Sequence, residues 1–308
     1  MRDNKKIDLY TKEMERACLI LHEALDLDFF DCLIRAGKDL LDDVDESGLE
    51  QETVKKLDNI YGRIRKVTFV NEEVRLSMEL LIVKAFKHRN LYSLSLMTPD
   101  AINYLFAYFV GKLFIPNRTI IDVALGTGNL LMAIANYLSS PVKFVGIEKD
   151  PSLAQLARLN ADLQGNLVQI YANDCLDPLN ERAQIVVGDL DSNGGEAYFP
   201  YEVVLQTLTF LDEEGIFIIL IDNDFFNQPS IETFRSHFTG TMLGLIVLPE
   251  TLFQNNVIGK SILLGCKKSL TSYEMMVTSF PGLNQTEQLN NTIDTLDQWI
   301  KQLKGMIL

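Results

Sequence analysis

The chain has few of the features that mark secreted, membrane-spanning or metal-binding proteins. Its four cysteines, Cys18, Cys32, Cys175 and Cys266, are scattered without a CxxC pair or a Cys/His cluster. We therefore expect reduced thiols, no disulfide framework and no metal site. The N-terminus lacks the apolar stretch and small-residue cleavage site of a secretion signal, and no apolar run reaches the length of a membrane span. These absences predict a cytoplasmic protein without membrane association.

Positive charge is scarce in the larger part of the chain. Of the formal net charge of −14, −3 falls on residues 1–90 and −11 on residues 91–308. A protein that binds duplex DNA needs a basic surface to displace the counterions around the phosphates, so this charge disfavours a nucleic-acid partner. The short basic group Lys84, Lys87 and Arg89 is a local exception. Such a group is more typical of a solvated helix end than of a nucleic-acid contact.

The sequence pattern divides the chain into three parts. Residues 1–90 carry apolar residues at helical spacing between acidic breaks, and they predict a helical N-terminal domain. Residues 91–270 alternate short β-rich runs with helix-length segments. Residues 271–308 form a C-terminal extension, in which apolar spacing predicts an amphipathic helix over residues 286–303.

The alternation in the middle part predicts an α/β domain with a mostly parallel sheet covered by helices on both faces. The last two β-rich runs have no room for a full helix between them, so they are expected to form an antiparallel pair. We therefore predict a seven-stranded, Rossmann-like sheet of the kind found in class I methyltransferases. Its seven runs are residues 119–124, 142–147, 167–171, 185–189, 215–221, 242–248 and 259–266.

The most informative motif is a glycine turn after the first predicted strand, which reads Asp-Val-Ala-Leu-Gly-Thr-Gly-Asn-Leu over residues 122–130. Gly126 and Gly128 let the backbone approach a ligand that would collide with a Cβ atom. The helix that follows presents free N–H groups at its N-terminus. An ordinary strand-to-helix turn is the alternative interpretation, and a GxG pattern alone does not decide between the two.

Acidic residues at the ends of the next two strands favour a nucleoside ligand. Glu148 lies about twenty residues beyond the glycine turn, where a carboxylate can accept hydrogen bonds from both ribose hydroxyls. The alternative is a solvated acid at a helix start, a role for which Asp150 is better placed. Asp174 can accept a hydrogen bond from the adenine amino group, or it can be a surface turn residue. Upstream of the glycine turn, Thr98 precedes a predicted helix, where it is equally a ligand or a helix cap.

Taken in order, these motifs resemble the adenine-N6 DNA methyltransferases, most closely the methylase subunits of type I restriction systems and a related stand-alone bacterial family. The resemblance covers about residues 90–270. It includes Met-Thr-Pro-Asp at 97–100, Gly-Ile-Glu-Lys-Asp-Pro at 146–151 and a Leu-Pro-x-x-Leu-Phe to Cys-Lys-Lys segment at 248–268. It implies a class I methyltransferase fold and S-adenosylmethionine as cofactor. The residues that it places around the cofactor are Thr98, Asp122, Ala124, Gly126, Thr127, Gly128, Asn129, Glu148, Asp174 and Cys175.

The segment expected to hold the methyl acceptor departs from that family. The family carries Asn/Asp/Ser-Pro-Pro-Tyr/Phe after the fourth strand, where a polar side chain and a backbone carbonyl hold the target amine and the aromatic ring stacks on a flipped base. Here residues 188–195 read Gly-Asp-Leu-Asp-Ser-Asn-Gly-Gly. Asp189 retains the hydrogen-bond-accepting side chain at the first position of this motif, and it is the expected catalytic residue. Both prolines are missing, Ser192 stands at the aromatic position, and Tyr198 or Phe199 is a candidate replacement.

The sequence leaves three functions open. The first is an S-adenosylmethionine-dependent N-methyltransferase that resembles adenine-specific DNA methylases. The second is a catalytically degenerate protein that binds the cofactor, or only keeps the fold, and acts through interactions. The third is a methylase for a small molecule or a protein. The resemblance implies a nucleic-acid partner, whereas the acidic segment at residues 191–196 would repel phosphates. A protein partner or a homo-oligomer remains open.

Overall fold

The structure is a computed structural model that describes residues 2–89, 97–190, 198–253, 259–282 and 284–307. Its N-terminal part consists of helices, as predicted. They are α1 (Asn4–Leu25), α2 (Phe29–Leu41), α3 (Gln51–Arg65) and α4 (Asn71–His88).

The starts of the first two helices are fixed by aspartate caps. The side chain of Asp3 accepts a hydrogen bond from the backbone of Lys5, and that of Asp28 accepts one from Asp31. The apolar faces of the four helices enclose a common core, which also takes in Leu156 and Leu159 from a helix of the α/β part. The N-terminal helices therefore pack directly on the α/β part. That residues 1–90 form a separate domain stays a prediction, and its expected boundary near residue 90 lies outside the described residues.

In the described part of the chain, eight strands form one sheet in the order β3-β2-β1-β4-β5-β7-β6-β8. The strands are β1 (Thr119–Asp122), β2 (Lys143–Ile147), β3 (Val168–Tyr171), β4 (Ala183–Asp189), β5 (Leu211–Asp222), β6 (Thr241–Val247), β7 (Lys260–Cys266) and β8 (Met276–Ser279). Strands β1 to β5 pair in parallel with one another, and β7 runs antiparallel to both β5 and β6. The predicted antiparallel pair is therefore present.

The prediction of seven strands is wrong by one. Strand β8 pairs in parallel with β6 at the sheet edge, with Met276 opposite Gly244. Its residues alternate between half-buried and exposed, and Val277 is largely exposed. A strand of four residues at an edge buries little apolar surface, so its sequence lacks the apolar run that identified the other strands. The sheet thus extends beyond residue 270, where the predicted α/β domain ends.

Among the residues that the structure describes, six α-helices cover the sheet and complete three layers. They are α5 (Asp100–Leu113), α6 (Asn129–Tyr137), α7 (Pro151–Leu163), α8 (Phe199–Phe210), α9 (Ile231–His237) and α10 (Thr286–Ile307). Helices α5, α6, α7 and α10 contribute to the apolar core on one face of the sheet, and α8 and α9 to the core on the other. The predicted C-terminal amphipathic helix is α10, which buries Leu296 and Ile300. Across the described ranges, no helix meets the length and apolarity needed for a membrane span.

The pairing of the strands fixes where polar residues gather. Asp122 lies opposite Gly146 on β2 and opposite Val187 on β4. The chain therefore leaves these strands at neighbouring points along one edge. In open α/β sheets, ligands bind outside the carboxyl ends of the strands.

Candidate functional site

A cavity of about 500 Å³ opens at the carboxyl ends of β1 to β4. This volume is within the range of about 300–1,000 Å³ that is common for small-molecule sites. Most of the predicted site residues line it, namely Thr98, Ala124, Gly126, Thr127, Asn129, Glu148, Asp174, Cys175 and Asp189. Asp122 and Gly128 do not line the cavity; they lie within the turn that forms its wall.

The glycine turn has a backbone conformation that only glycine adopts readily. Gly126 and Gly128 have φ angles of 54° and 78°, in the left-handed region. A Cβ atom on Gly128 would also lie 3.3 Å from the Cβ of Ala157 on α7. The turn is held to the sheet because the Leu125 N–H donates to the carbonyl of Ile147 at 3.0 Å. The turn thereby directs the N-terminus of α6 towards the cavity.

Glu148 is fixed at the cavity edge by backbone hydrogen bonds. Its Oε2 atom accepts from the N–H of Gly126 at 2.8 Å, and its Oε1 atom accepts from the N–H of Asp150 at 2.8 Å. Each carboxylate oxygen keeps a further lone pair for a ligand donor. Asp150 itself caps α7 by accepting from the backbone of Ser152 and Leu153. The prediction that Asp150 caps the helix is therefore confirmed, and the ligand role of Glu148 stays a prediction.

The third strand places a polar and an apolar contact side by side. Asp174 is half-buried and accepts a hydrogen bond from the N–H of Leu176 at 3.0 Å. Cys175 is buried, and burial raises the pKa of its thiol to about 12. The thiol is therefore protonated at neutral pH and contributes a small apolar surface rather than a nucleophile.

Asp122 lies fully buried beneath the glycine turn. Its Oδ1 atom accepts from the N–H of Ala124 at 3.0 Å, whereas Oδ2 has no hydrogen-bond partner among the described residues. The pKa of Asp122 is raised to about 7, chiefly by burial; the charges of Asp189 and Glu148 act in the same direction, and the hydrogen bond from Ala124 opposes them. The carboxyl group therefore exchanges a proton near neutral pH.

Asp189, the predicted catalytic residue, is held by two other side chains. Its Oδ2 atom accepts from the hydroxyl of Thr98 at 2.9 Å, and its Oδ1 atom accepts from Nζ of Lys260 at 2.7 Å. Lys260 also donates to the carbonyl of Leu190 at 3.2 Å. The sequence analysis did not identify Lys260. Lys260 lies within the segment 248–268 that carries the resemblance, but no spacing rule connects it with Asp189, 71 positions away in the chain.

Arg75 on α4 is a second residue that the sequence analysis missed. Its side chain is completely buried, and it forms ion pairs with Glu72, Glu79 and Asp100. It also donates to Oδ1 of Asn129 at 2.7 Å. Asn129 lines the cavity at the start of α6, and Asp100 begins α5 two residues after the lining residue Thr98. A residue of the N-terminal part therefore anchors the cavity wall. No motif or spacing in the sequence indicates this contact.

Of the two candidate replacements for the aromatic residue, one lines the cavity and the other packs against a neighbouring ring. Phe199 lines the cavity, whereas Tyr198 packs with its ring 4.8 Å from that of Tyr201. Ser192 and the acidic segment 191–196 lie outside the described residues.

The basic group on α4 is partly neutralised. Lys84 forms an ion pair with Glu15, and Arg89 forms ion pairs with Asp28 and Asp31. These pairs are those of a helix end packed on acidic neighbours, and they leave less positive charge for a phosphate backbone.

Comparison with known proteins identifies relatives of the N-terminal part and of the whole chain. Residues 7–86 match the family described as the YtxK N-terminal helical domain. The uncharacterized protein YtxK of Bacillus subtilis is 28% identical over 257 residues, which cover 80% of this chain and 73% of that protein.

Solved structures share the fold. A Listeria monocytogenes protein assigned to the class I S-adenosylmethionine-dependent methyltransferases superposes with a TM-score of 0.85 at 24% identity, covering 97% of this chain and all of the other. The methyltransferase subunit of a type I restriction-modification system from Streptococcus thermophilus gives a TM-score of 0.63 at 16% identity, over 95% of this chain and 74% of that chain. The chain therefore has the class I methyltransferase fold.

Proposed function

We propose that this protein, which has the class I methyltransferase fold, binds S-adenosylmethionine in the cavity beside the glycine turn. The observation that carries the proposal is the convergence of the left-handed Gly126, Glu148 and Asp174 on one cavity of about 500 Å³. These three residues follow the ends of three different strands, β1, β2 and β3. When bound, the cofactor supplies a methyl group on a positively charged sulfur.

The residues of the cavity fit the parts of that cofactor. The N-terminus of α6 suits its carboxylate, because the N–H groups of a first helical turn and the helix dipole favour an anion. Glu148 suits the ribose hydroxyls, and Asp174 suits the adenine amino group, because both are hydrogen-bond acceptors at the cavity edge. Asp122 supports the turn from below rather than contacting the ligand.

We further propose methyl transfer to a nitrogen, with Asp189 as the catalytic residue. Asp189 lines the same cavity, and Thr98 fixes the orientation of its carboxylate. It would accept a hydrogen bond from the acceptor amine and hold it in line, so that catalysis comes from positioning rather than from a covalent intermediate. The adenine specificity of the methylases that the sequence resembles is one candidate. The net charge of −11 on residues 91–308 favours a small molecule or a protein over duplex DNA.

A second candidate function is cofactor binding without turnover, with the chain acting through a protein partner or as a homo-oligomer. The specific observation in its favour is that both oxygens of Asp189 already bind donors from within the chain. The absence of both prolines after Asp189 also favours cofactor binding without turnover. This function keeps the glycine turn and Glu148 but removes the need for an acceptor.

Two measurements test these proposals. Isothermal calorimetry of the purified protein should show micromolar-scale affinity for S-adenosylmethionine and for S-adenosylhomocysteine. No heat at millimolar cofactor would contradict the binding proposal. Radiolabelled S-adenosylmethionine, offered with DNA, RNA or cell extract, should then label an acceptor, and Asp189→Ala should lower the rate at least about tenfold. Cofactor binding without label transfer to any acceptor supports the second function.

A further inference from the structure

The Asp189 end of the cavity already holds an amine. Nζ of Lys260 donates to Oδ1 of Asp189 at 2.7 Å and to the carbonyl of Leu190 at 3.2 Å. Both acceptors belong to cavity-lining residues at the end of β4, whereas Lys260 reaches them from the start of β7. Strand β5 lies between these two strands in the sheet. The lysine side chain therefore spans the strand edge to bring its ammonium group to this point.

The binding geometry suits a donor with more than one hydrogen. A carboxylate oxygen and a backbone carbonyl converge on a single nitrogen, and the ammonium contributes one proton to each. The second oxygen of Asp189 is fixed by the hydroxyl of Thr98, so the carboxylate cannot rotate freely. The charged ends of Asp189 and Lys260 are nearly buried, with side-chain exposures of 10% and 11%. Such a pair persists because each charge compensates the other.

We propose that Lys260 is an internal competitor at the amine-binding subsite formed by Asp189 and the carbonyl of Leu190. An external amine reaches the two acceptors only when the ammonium group of Lys260 leaves them. The link between this subsite and methyl transfer rests on the proposed function above; the amine subsite itself does not. These contacts give Lys260 the role of a competitor for the atoms to which the proposed function assigns the acceptor amine.

Lys260→Ala tests the proposal with n-butylammonium as the probe, because this ion replaces the deleted lysine chain. Binding is measured by calorimetry or ligand-observed NMR without cofactor. We expect K260A to bind the probe at least about tenfold more tightly than the unchanged protein. The matched control is K267A. Lys267 follows the other end of β7 and pairs with Glu213, away from the cavity, so its loss should not change probe binding.

A double variant assigns any binding to the subsite. K260A combined with Asp189→Asn removes the negative charge and should lose the probe affinity that K260A gains. Equal probe binding by the unchanged protein and K260A, or equal binding by K260A and the double variant, would overturn the proposal. If K260A does not fold, Lys260→Gln replaces it. K260Q retains a polar side chain without the competing cation, and it should still bind methylammonium more tightly than the unchanged protein does.

Titration with S-adenosylhomocysteine separates this proposal from the proposed function. If folded K260A gives heat with S-adenosylhomocysteine but does not bind n-butylammonium, the amine subsite is contradicted and cofactor binding is supported. Probe binding without any heat from S-adenosylhomocysteine contradicts the proposed function and leaves the subsite intact.

Discussion

The two ends of the cavity are built from different kinds of atoms. At the glycine-turn end, backbone N–H groups and two left-handed glycines form the wall, and Glu148 is tied to that backbone at 2.8 Å. At the Asp189 end, three side chains from distant parts of the chain form a closed set, in which Thr98 and Lys260 both donate to the carboxylate. The donors to the Glu148 carboxylate are backbone N–H groups, whereas one donor to the Asp189 carboxylate is a side-chain ammonium group.

This difference shows that cofactor binding and acceptor binding can change separately. The turn is formed by a short stretch of sequence, so its conformation is retained as long as its glycines and Glu148 are present. The acceptor end depends on side chains that no local rule links, and a single lysine is enough to fill it. The predictions below test whether the two ends are as independent as this comparison implies.

The largest expected effect comes from Arg75, the residue that supports both ends. Its buried guanidinium pairs with Glu72, Glu79 and Asp100 and donates to Asn129. Arg75→Met should lower the free energy of unfolding by about 3–5 kcal/mol, because it leaves buried carboxylates unpaired. Urea denaturation measures this loss.

Arg16→Met is the matched control for that experiment, since Arg16 pairs with Glu13 while 59% of its side chain is exposed. An exposed pair contributes about 0–1 kcal/mol. Similar losses in the two variants would show that the Arg75 network does not anchor the cavity wall.

The next effect concerns the glycine-turn end alone. Gly126→Val should weaken S-adenosylhomocysteine binding by at least about 100-fold, or roughly 2.7 kcal/mol, because a branched side chain fills the space that the backbone leaves for the ligand. Gly165→Val is the control, since Gly165 also has a positive φ, of 67°, but lies after α7 with nothing near its Cβ. Both variants should lose stability from backbone strain. Calorimetry should show that only Gly126→Val loses binding, and equal affinities would contradict the assignment of the turn.

A smaller effect concerns the pH dependence of stability beneath the turn. The pKa of Asp122 is raised to about 7 in the folded protein, above the value of about 3.9 for an unfolded chain. The folded state therefore binds the proton more tightly. The contribution of Asp122 to stability is complete below about pH 4 and is lost as the pH rises to about 7.

Asp122→Asn should remove that loss. Its melting temperature relative to the unchanged protein should rise between pH 5 and pH 8, by an amount equivalent to about 1 kcal/mol or more. Asp162→Asn, at an exposed position on α7, is the control for the substitution itself. A constant difference in melting temperature between Asp122→Asn and the unchanged protein from pH 5 to pH 8 would contradict the assigned titration.

The sequence predicts the local features of the fold and the site, because local rules determine them. Apolar runs identify seven strands, and the glycine spacing identifies the turn with its φ angles of 54° and 78°. Strand β8 escapes prediction because it is short and at an edge. Lys260 and Arg75 escape it because each meets its site partner only through the fold, Arg75 reaching Asn129 from 54 positions away. The missing prolines after Asp189 are visible in the sequence, but the lysine that fills the acceptor end is not.

The most direct test of the two-ended cavity compares S-adenosylhomocysteine affinity in Glu148→Gln and Asp189→Asn. Glutamine at 148 places an amide N–H₂ group against a backbone N–H donor, of Gly126 or of Asp150, so the edge of the cofactor end is disturbed. Calorimetry should show at least about tenfold weaker binding for Glu148→Gln and a change of less than about threefold for Asp189→Asn. Equal losses in the two variants, or a larger loss in Asp189→Asn, would contradict the separation of the cofactor end from the acceptor end.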